Sequence, residues 1–278
     1  MNEPSKDTPV SSIQVIDRLV QLLDAIAANY MPARDGESGA RGVAGNAGAA
    51  FRPPASLKIL SAETGLHPST AHRILAALGS HGLVERTAAG HYQLGVKLLS
   101  LASRVQERVD LRREALPIME RLRSALGETV NLTVREDDEV VYVERVSSHK
   151  TIRVEQVIGS RAPLHVTAVG KLFLAHDGHA AYLTYARRTS LPAYTANTLT
   201  HVKQLWQAAQ DALQQGYALD NEEAEIGVGC IGVPVWDASG TMVAGLSISA
   251  PVQRRRDEWI PQVIAAGMQL SGRLGYHS

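Results

Sequence analysis

A chain of 278 residues, 45% of them apolar, exceeds one ordinary globular domain of about 100–200 residues and leaves room for two cores. A formal net charge of zero argues against a nonspecific polyelectrolyte binder, and the single cysteine, Cys230, excludes an internal disulfide framework and any multi-cysteine metal site. No apolar run reaches the roughly 18 residues of a membrane span, and the opening MNEPSKDTPV lacks the basic and apolar regions of a secretory signal, so a cytoplasmic chain without a membrane partner is expected.

Residues 1–11 read as a polar, disordered tail. Ile16, Leu19, Val20, Leu23 and Ala27 then recur at helical spacing and predict a helix over Ser12–Ala28. From Met31 to Pro54 the chain is rich in Gly and Ala, holds three prolines and shows no apolar period, which predicts a mobile surface insertion. Leu57, Leu60 and Ala62 to Gly65 predict a short helix that Gly65 stops. Pro68 suits the first turn of the next helix, whose apolar face is Ala71, Ile74, Leu75 and Leu78 and which Gly82 ends. Leu83–Arg86 and His91–Leu94 read as the arms of a hairpin around Ala88-Ala89-Gly90, a candidate wing.

These elements predict a winged helix-turn-helix over 12–95, with the insertion at 31–54. Val96 to Arg108 is helical by period, and 96–115 is read as a linker helix. Leu116, Met119, Leu122 and Leu126 mark a further helix closed by Gly127, inside a second domain over 116–278. There the period falls to two at Asn131–Arg135, Val140–Val146 and Ile152–Val157, with Asp137-Asp138 as a turn. Helices are expected near Thr167–His176 and Val202–Gln215, strands near Tyr217–Asp220, Cys230–Trp236 and Met242–Ser249, and a last helix over Asp257–Leu274. The fold class is α+β, with helices against an antiparallel sheet and no tandem repeat.

Charge is unevenly spread: residues 56–123 carry 10 basic against 6 acidic side chains, with His67, His72, His81 and His91 among them. A recognition helix needs small or polar residues on its first turn and an apolar face behind them. His67-Pro-Ser-Thr-Ala-His-Arg-Ile-Leu has that division. Ser69, Thr70, His72 and Arg73 point outward if Ala71, Ile74, Leu75 and Leu78 point inward. Arg73 has the planar fork for a guanine edge or a phosphate, Ser69 and the helix start suit a phosphate, and Arg86 and His91 flank the hairpin where they reach backbone or minor groove. The competing reading is a small helical bundle whose Ser and Thr only cap a helix.

Three motifs in order give a resemblance to the IclR family of bacterial transcription regulators over nearly the whole chain. Leu66-His-Pro-Ser-Thr-Ala-His-Arg-Ile-Leu, with Gly82-Leu-Val-Glu-Arg and His91-Tyr-Gln-Leu-Gly, is similar to the DNA-binding domain of that family. Gly159-Ser-Arg-Ala-Pro-Leu-His-Val-Thr-Ala-Val-Gly-Lys-Leu resembles its mid-domain motif. Gly216-Tyr-Ala-Leu-Asp-Asn-Glu-Glu, Gly229-Cys-Ile-Gly-Val-Pro-Val and Leu246-Ser-Ile-Ser-Ala-Pro resemble the third. The resemblance implies a GAF-like effector domain for a small organic acid or aromatic compound, binding to double-stranded operator DNA as a homodimer or homotetramer, and a repressor or activator with no cofactor. It places the effector near Asp220, Cys230, Ser247 and Ser249, beneath Ala168, Val169 and Gly170. The insertion 31–54 departs from the family, which has a short link there.

The residues permit that site. Ser247 and Ser249, two apart on a strand, share a face and can donate to a carboxylate, and backbone N–H groups at Ala168–Gly170 near a helix start add anion donors. The plainer reading is a solvated strand face. Cys230 reads as a small buried hydrophobe or, alternatively, a redox thiol. His176 and His179 could share a metal, but Gly178 between them favours a solvated loop. The run Asp220, Glu222, Glu223 and Glu225, with His165 near it, could hold a cation, although a charge run is usually wet surface; His165 then orients the pocket loop. Arg161 and Arg153 either pair with an acidic effector or decorate the surface. No Gly-x-Ser-x-Gly, P-loop, dinucleotide or His-Glu-x-x-His motif appears, so no enzyme is expected. A DNA binder with a vestigial, redox- or metal-responsive sensor is the alternative.

Overall fold

The computed structural model describes residues 11–29, 55–106 and 110–277. The expected tail, except Ser11, and the whole 31–54 insertion lie outside them. The chain divides into two compact units between residues 108 and 109.

In the first unit, α1 (Ser11–Ala28), α2 (Leu57–Thr64) and α3 (Pro68–Ser80) precede β1 (Val84–Arg86), β2 (Tyr92–Leu94) and α4 (Lys97–Gln106). Local chemistry sets their ends. Ser56 Oγ caps α2 by accepting the Ile59 N–H at 3.4 Å, and Gly65 closes it at φ +65°, a conformation cheap for glycine alone. Two residues later His67 caps α3, with Pro68 in the first turn. Leu22 and Ile26 of α1 pack with Leu60, Ala71, Leu75 and Leu78 and with Val84 and Tyr92 of the β1–β2 hairpin. The Asn29 amide donates to Glu63 at 2.7 Å and ties α1 to α2.

In the second unit, α5 (Leu111–Leu126) leads into a six-stranded antiparallel sheet of order β5-β4-β3-β8-β7-β6. Its strands are β3 (Thr129–Glu136), β4 (Glu139–Val146), β5 (Arg161–Pro163), β6 (Ala218–Asn221), β7 (Val228–Trp236) and β8 (Met242–Pro251). Between β5 and β6 lie α6 (Ala168–His176), α7 (His179–Thr189) and α8 (Val202–Gln215), and α9 (Ile260–Arg273) comes last. The two-residue period sorts the side chains. Val130, Leu132, Ile231, Val233, Leu246 and Ile248 meet α5 and α9 on one face, while α6, α7 and α8 cover the other. Each fully buried aliphatic side chain adds about 1.5–3 kcal/mol of transfer free energy. Among the described residues no helix is long and apolar enough to cross a membrane.

Four expectations need correction. The helix after residue 110 begins at Leu111, because Asp110 accepts the Arg112 N–H at 2.9 Å as a cap, so the span read as one linker helix, 96–115, holds all of α4 and the first residues of α5. Leu116 lies on its exposed side, and Ala115, Ile118, Met119 and Leu122 make the buried face. Ile152–Val157 is not a strand: Arg161–Pro163 takes the place beside β4, and Ile152 and Val157 are 71% and 70% exposed. The loop expected at His179 is instead the start of α7, with Gly178 at φ +85° turning the chain between two helices.

Candidate functional site

The face expected to meet DNA is open. Along α3, Ser69, His72 and Arg73 are exposed and Thr70 is half-buried, while Ala71, Leu75 and Leu78 are buried. Ser69 Oγ bonds His67 Nδ1 at 2.8 Å, and that imidazole also accepts the Ser69 N–H, so the first turn is ordered by a residue not singled out as a cap. Among the described residues His72 and Arg73 make no hydrogen bond or ion pair, which leaves both heads free for a partner. On the hairpin the Arg86 guanidinium lies 5.8 Å from the Tyr92 ring centroid and its Nε donates to the Gly90 carbonyl at 3.4 Å. His91 is half-buried on the facing arm, its N–H donated to Thr87 Oγ1 at 3.2 Å.

Strand register builds the second site. Cys230 pairs with Asp220 on one side and with Ser249 on the other, and Gly232 pairs with Ala218 and Ser247. Two rows of side chains therefore cross β6, β7 and β8 on the face that α6 covers. Close approach of α6 requires glycine below it: a Cβ at Gly232 would sit 3.0 Å from the Ala168 Cβ, and one at Gly245 would sit 2.1 Å from Val169 Cγ1. Between helix start and sheet lies a cavity of about 130 Å³. Ala168, Val169, Asp220, Cys230, Ser247 and Ser249 all line it.

Within it, Ser249 Oγ accepts from Asn131 Nδ2 at 3.1 Å and touches Cys230 Sγ at 3.2 Å. Ser247 Oγ makes no hydrogen bond to any described residue, although the residue is 6% exposed. Burial pushes the Asp220 carboxyl up to about 6, and its Oδ1 accepts the Glu223 N–H at 2.8 Å. Burial, and then the Asp220 charge, push the Cys230 thiol up, which disfavours the thiolate a redox sensor needs. Burial likewise raises the Tyr142 phenol, which lines the same space.

Gly170 is the exception. It does not line the cavity, and its N–H is spent on Thr167 Oγ1 at 3.0 Å as part of the α6 cap, so only Ala168 and Val169 remain as first-turn donors. The acidic run is not uniformly wet: Asp220 and Glu223 are 3% and 4% exposed, Glu225 is exposed and lines the cavity, and Glu222 accepts the Gly227 N–H. His165 is buried between the Tyr185 hydroxyl at 2.8 Å and the Pro192 carbonyl at 3.0 Å, and burial lowers its pKa, so it pins the turn before α6 as a neutral ring. His176 lies in the last turn of α6 against Trp236, and His179, in the first turn of α7, lies tilted against Trp206, so the two belong to different helices. Arg161 lines the cavity while pairing with Glu136 and Glu139; Arg153 pairs with Glu155 at 3.0 Å and does not. Thr133, Tyr142 and Gln156 were missed. The first two occupy polar positions in alternating strands, the one signal that could have found them.

Known proteins carry the same two parts. The family described as bacterial transcriptional regulator IclR C-terminal matches residues 103–272, and the IclR helix-turn-helix domain matches 49–88. The HTH-type transcriptional regulator KipR of Bacillus subtilis is 30% identical over 229 residues, 81% of this chain and 92% of KipR. Among solved structures, the repressor BlcR of Agobacterium tumefaciens is 26% identical with a TM-score of 0.65, covering 97% of this chain and 100% of BlcR. An IclR homolog from Microbacterium hydrocarbonoxydans, solved with 4-hydroxybenzoate, is 26% identical with a TM-score of 0.57 over 94% of this chain and 98% of its own. With both domains matched in order, this chain belongs to the IclR family of bacterial transcriptional regulators, DNA-binding proteins and not enzymes.

Proposed function

We propose that this regulator responds to a small organic acid, aliphatic or aromatic, held in the cavity between α6 and the sheet, and that occupancy changes its affinity for the operator of a catabolic pathway. The observation that carries the reading is the Ser247 hydroxyl, unpaired and facing a cavity roofed by the first turn of α6. A carboxylate there would accept from Ser247 and from the Ala168 and Val169 amides, where the helix dipole also favours negative charge. The 4-hydroxybenzoate in the Microbacterium homolog supports an acid of this class. Among the described residues no group of three or more His, Cys, Asp and Glu is placed to hold a metal ion, so the acid reading has more support than a metal sensor.

DNA binding is proposed to run through Ser69, Thr70, His72 and Arg73 in the major groove, with Arg86 and His91 on the flanking backbone. Exposed apolar residues on α1 (Val15, Ile16), on α4 (Leu99) and just before it (Val96) support assembly into a homodimer, which brings two such helices to one operator. Operator and effector each favour one arrangement of the assembly, and a coupling of about 1–3 kcal/mol would change operator affinity roughly 5- to 150-fold. Titration of 4-hydroxybenzoate, pyruvate and other small acids against labelled DNA from the promoter of its own gene tests this. A binding curve that no acid moves would refute the sensor reading.

Two substitutions separate the sites. Arg73→Ala should weaken operator binding by about 1–3 kcal/mol with an unchanged melting temperature, since the side chain is exposed and unpaired. Wild-type affinity would remove Arg73 from the interface. Ser247→Ala should weaken acid binding by about 1.5–3 kcal/mol, the value of a hydrogen bond to a charged group, and leave DNA affinity without effector intact. A change in DNA affinity alone would contradict the assignment.

A further inference from the structure

The turn joining β6 to β7, residues 222–227, is one wall of the effector cavity, because Ala224 and Glu225 line it. It is under strain: Glu222 has φ +61°, in the left-handed region that side chains other than glycine rarely occupy. Such a turn needs support from outside itself. Thr195 Oγ1 donates to the Glu222 carbonyl at 2.6 Å, and Thr198 Oγ1 donates to the Glu223 carbonyl at 2.7 Å. Charged support comes from Lys171, whose Nζ meets Glu223 Oε1 at 2.5 Å with both side chains at most 5% exposed.

Lys171 sits on α6, three residues beyond Ala168. Ala168 and Val169 line the cavity opposite the turn, and the Glu223 N–H holds Asp220 Oδ1. One buried ion pair thus joins the wall carrying Asp220 and Glu225 to the wall carrying the helix-start amides. Stability alone does not account for it. A buried pair rarely outperforms an apolar one of equal size, and here the Glu223 Oε2 is buried without any donor. What the pair adds is a single fixed separation, since the attraction falls off when the walls move apart.

We propose that Lys171 and Glu223 are positioning residues of the effector cavity, a clasp that holds the 222–227 turn against α6 so that Asp220 and Glu225 face Ala168 and Val169 at one distance. This rests on the reading of the cavity as the effector site. The clasp acts through the walls and does not itself touch the acid.

Cys230 lines the cavity and is the sole thiol of the chain, so its rate of modification by Ellman's reagent reports how closed the walls are. In the full-length protein, Lys171→Met should speed modification about tenfold by opening the turn locally. Loss of stability would also speed it, so the double variant Lys171→Met/Glu223→Leu is the deciding one. It removes the clasp and the orphaned charge together and should recover the melting temperature. Fast labelling and weakened 4-hydroxybenzoate binding at a wild-type melting temperature support the clasp. Labelling and binding equal to wild type at that temperature overturn it. Should the single variant fail to fold, the double variant decides alone. Should the wild type bind no organic acid, the effector reading fails while the labelling rates still decide whether the ion pair holds the walls.

Discussion

Gly170→Ala is expected to destabilise the C-terminal unit by about 3 kcal/mol or more, a large loss for a change of one methyl group. Alanine normally favours a helix by about 1 kcal/mol over glycine, so propensity alone predicts the opposite sign. Geometry decides. A Cβ at this position would lie 2.1 Å from the Leu164 carbonyl oxygen, 2.4 Å from the Leu164 Cα and 2.5 Å from Thr167 Oγ1. Two of these are backbone atoms of the turn before α6, which His165 locks in place through Tyr185 and Pro192. Either that turn or the start of α6 must move, and Ala168 and Val169 move with it. Denaturant unfolding should show the loss, hydrogen exchange should confine it to 111–276, and acid binding should fall with it. A change below about 1 kcal/mol would mean that the backbone at Leu164 yields easily and that Gly170 is not required for packing.

Asp220→Asn is expected to stabilise the protein at pH 7.5 by an amount on the order of 3 kcal/mol and to leave it unchanged near pH 3.5. Burial raises the folded-state value of this carboxyl from 3.8 to about 6. Below 3.8 it is protonated in both folded and unfolded chains and costs nothing. Between 3.8 and 6 the unfolded chain ionises first, so stability falls as pH rises, and above 6 the whole penalty is present. Asparagine has no such titration and keeps an oxygen for the Glu223 N–H. Thermal melts of both proteins from pH 3.5 to 8 would therefore converge at the acid end and diverge toward neutrality. Parallel curves would show that Asp220 is not desolvated. A carboxylate effector would feel the same charge: its affinity for the wild type should rise as pH falls through 6, and the variant should bind without that slope.

The first unit was legible because its determinants are local. Gly65 at a left-handed turn, Pro68 in a first helical turn and the apolar spacing of Ala71, Leu75 and Leu78 each act within a few residues, so chain order already implied an exposed Arg73 and His72. Helix boundaries at Val202 and Gln215, and the alternation that sends Leu246 and Ile248 to one face and Ser247 and Ser249 to the other, were legible for the same reason. Ile152–Val157 was misread because its alternation is genuine, while strand identity depends on a free sheet edge, and that edge is taken by Arg161–Pro163. α7 was hidden by Gly178, which marks a junction between helices as readily as a loop.

Sequence by itself determined most element types, the polar face of α3 and the family motifs, since each depends on residues close together along the chain. Tertiary structure alone decided that Asp220, Cys230 and Ser249 lie on one register line, that the Gly170 N–H bonds Thr167 outside the cavity lining, and that Glu223 meets Lys171 across 52 residues. Those facts depend on register and on the closeness of α6 to the sheet. Both are set by the summed packing of distant segments, which no local pattern encodes.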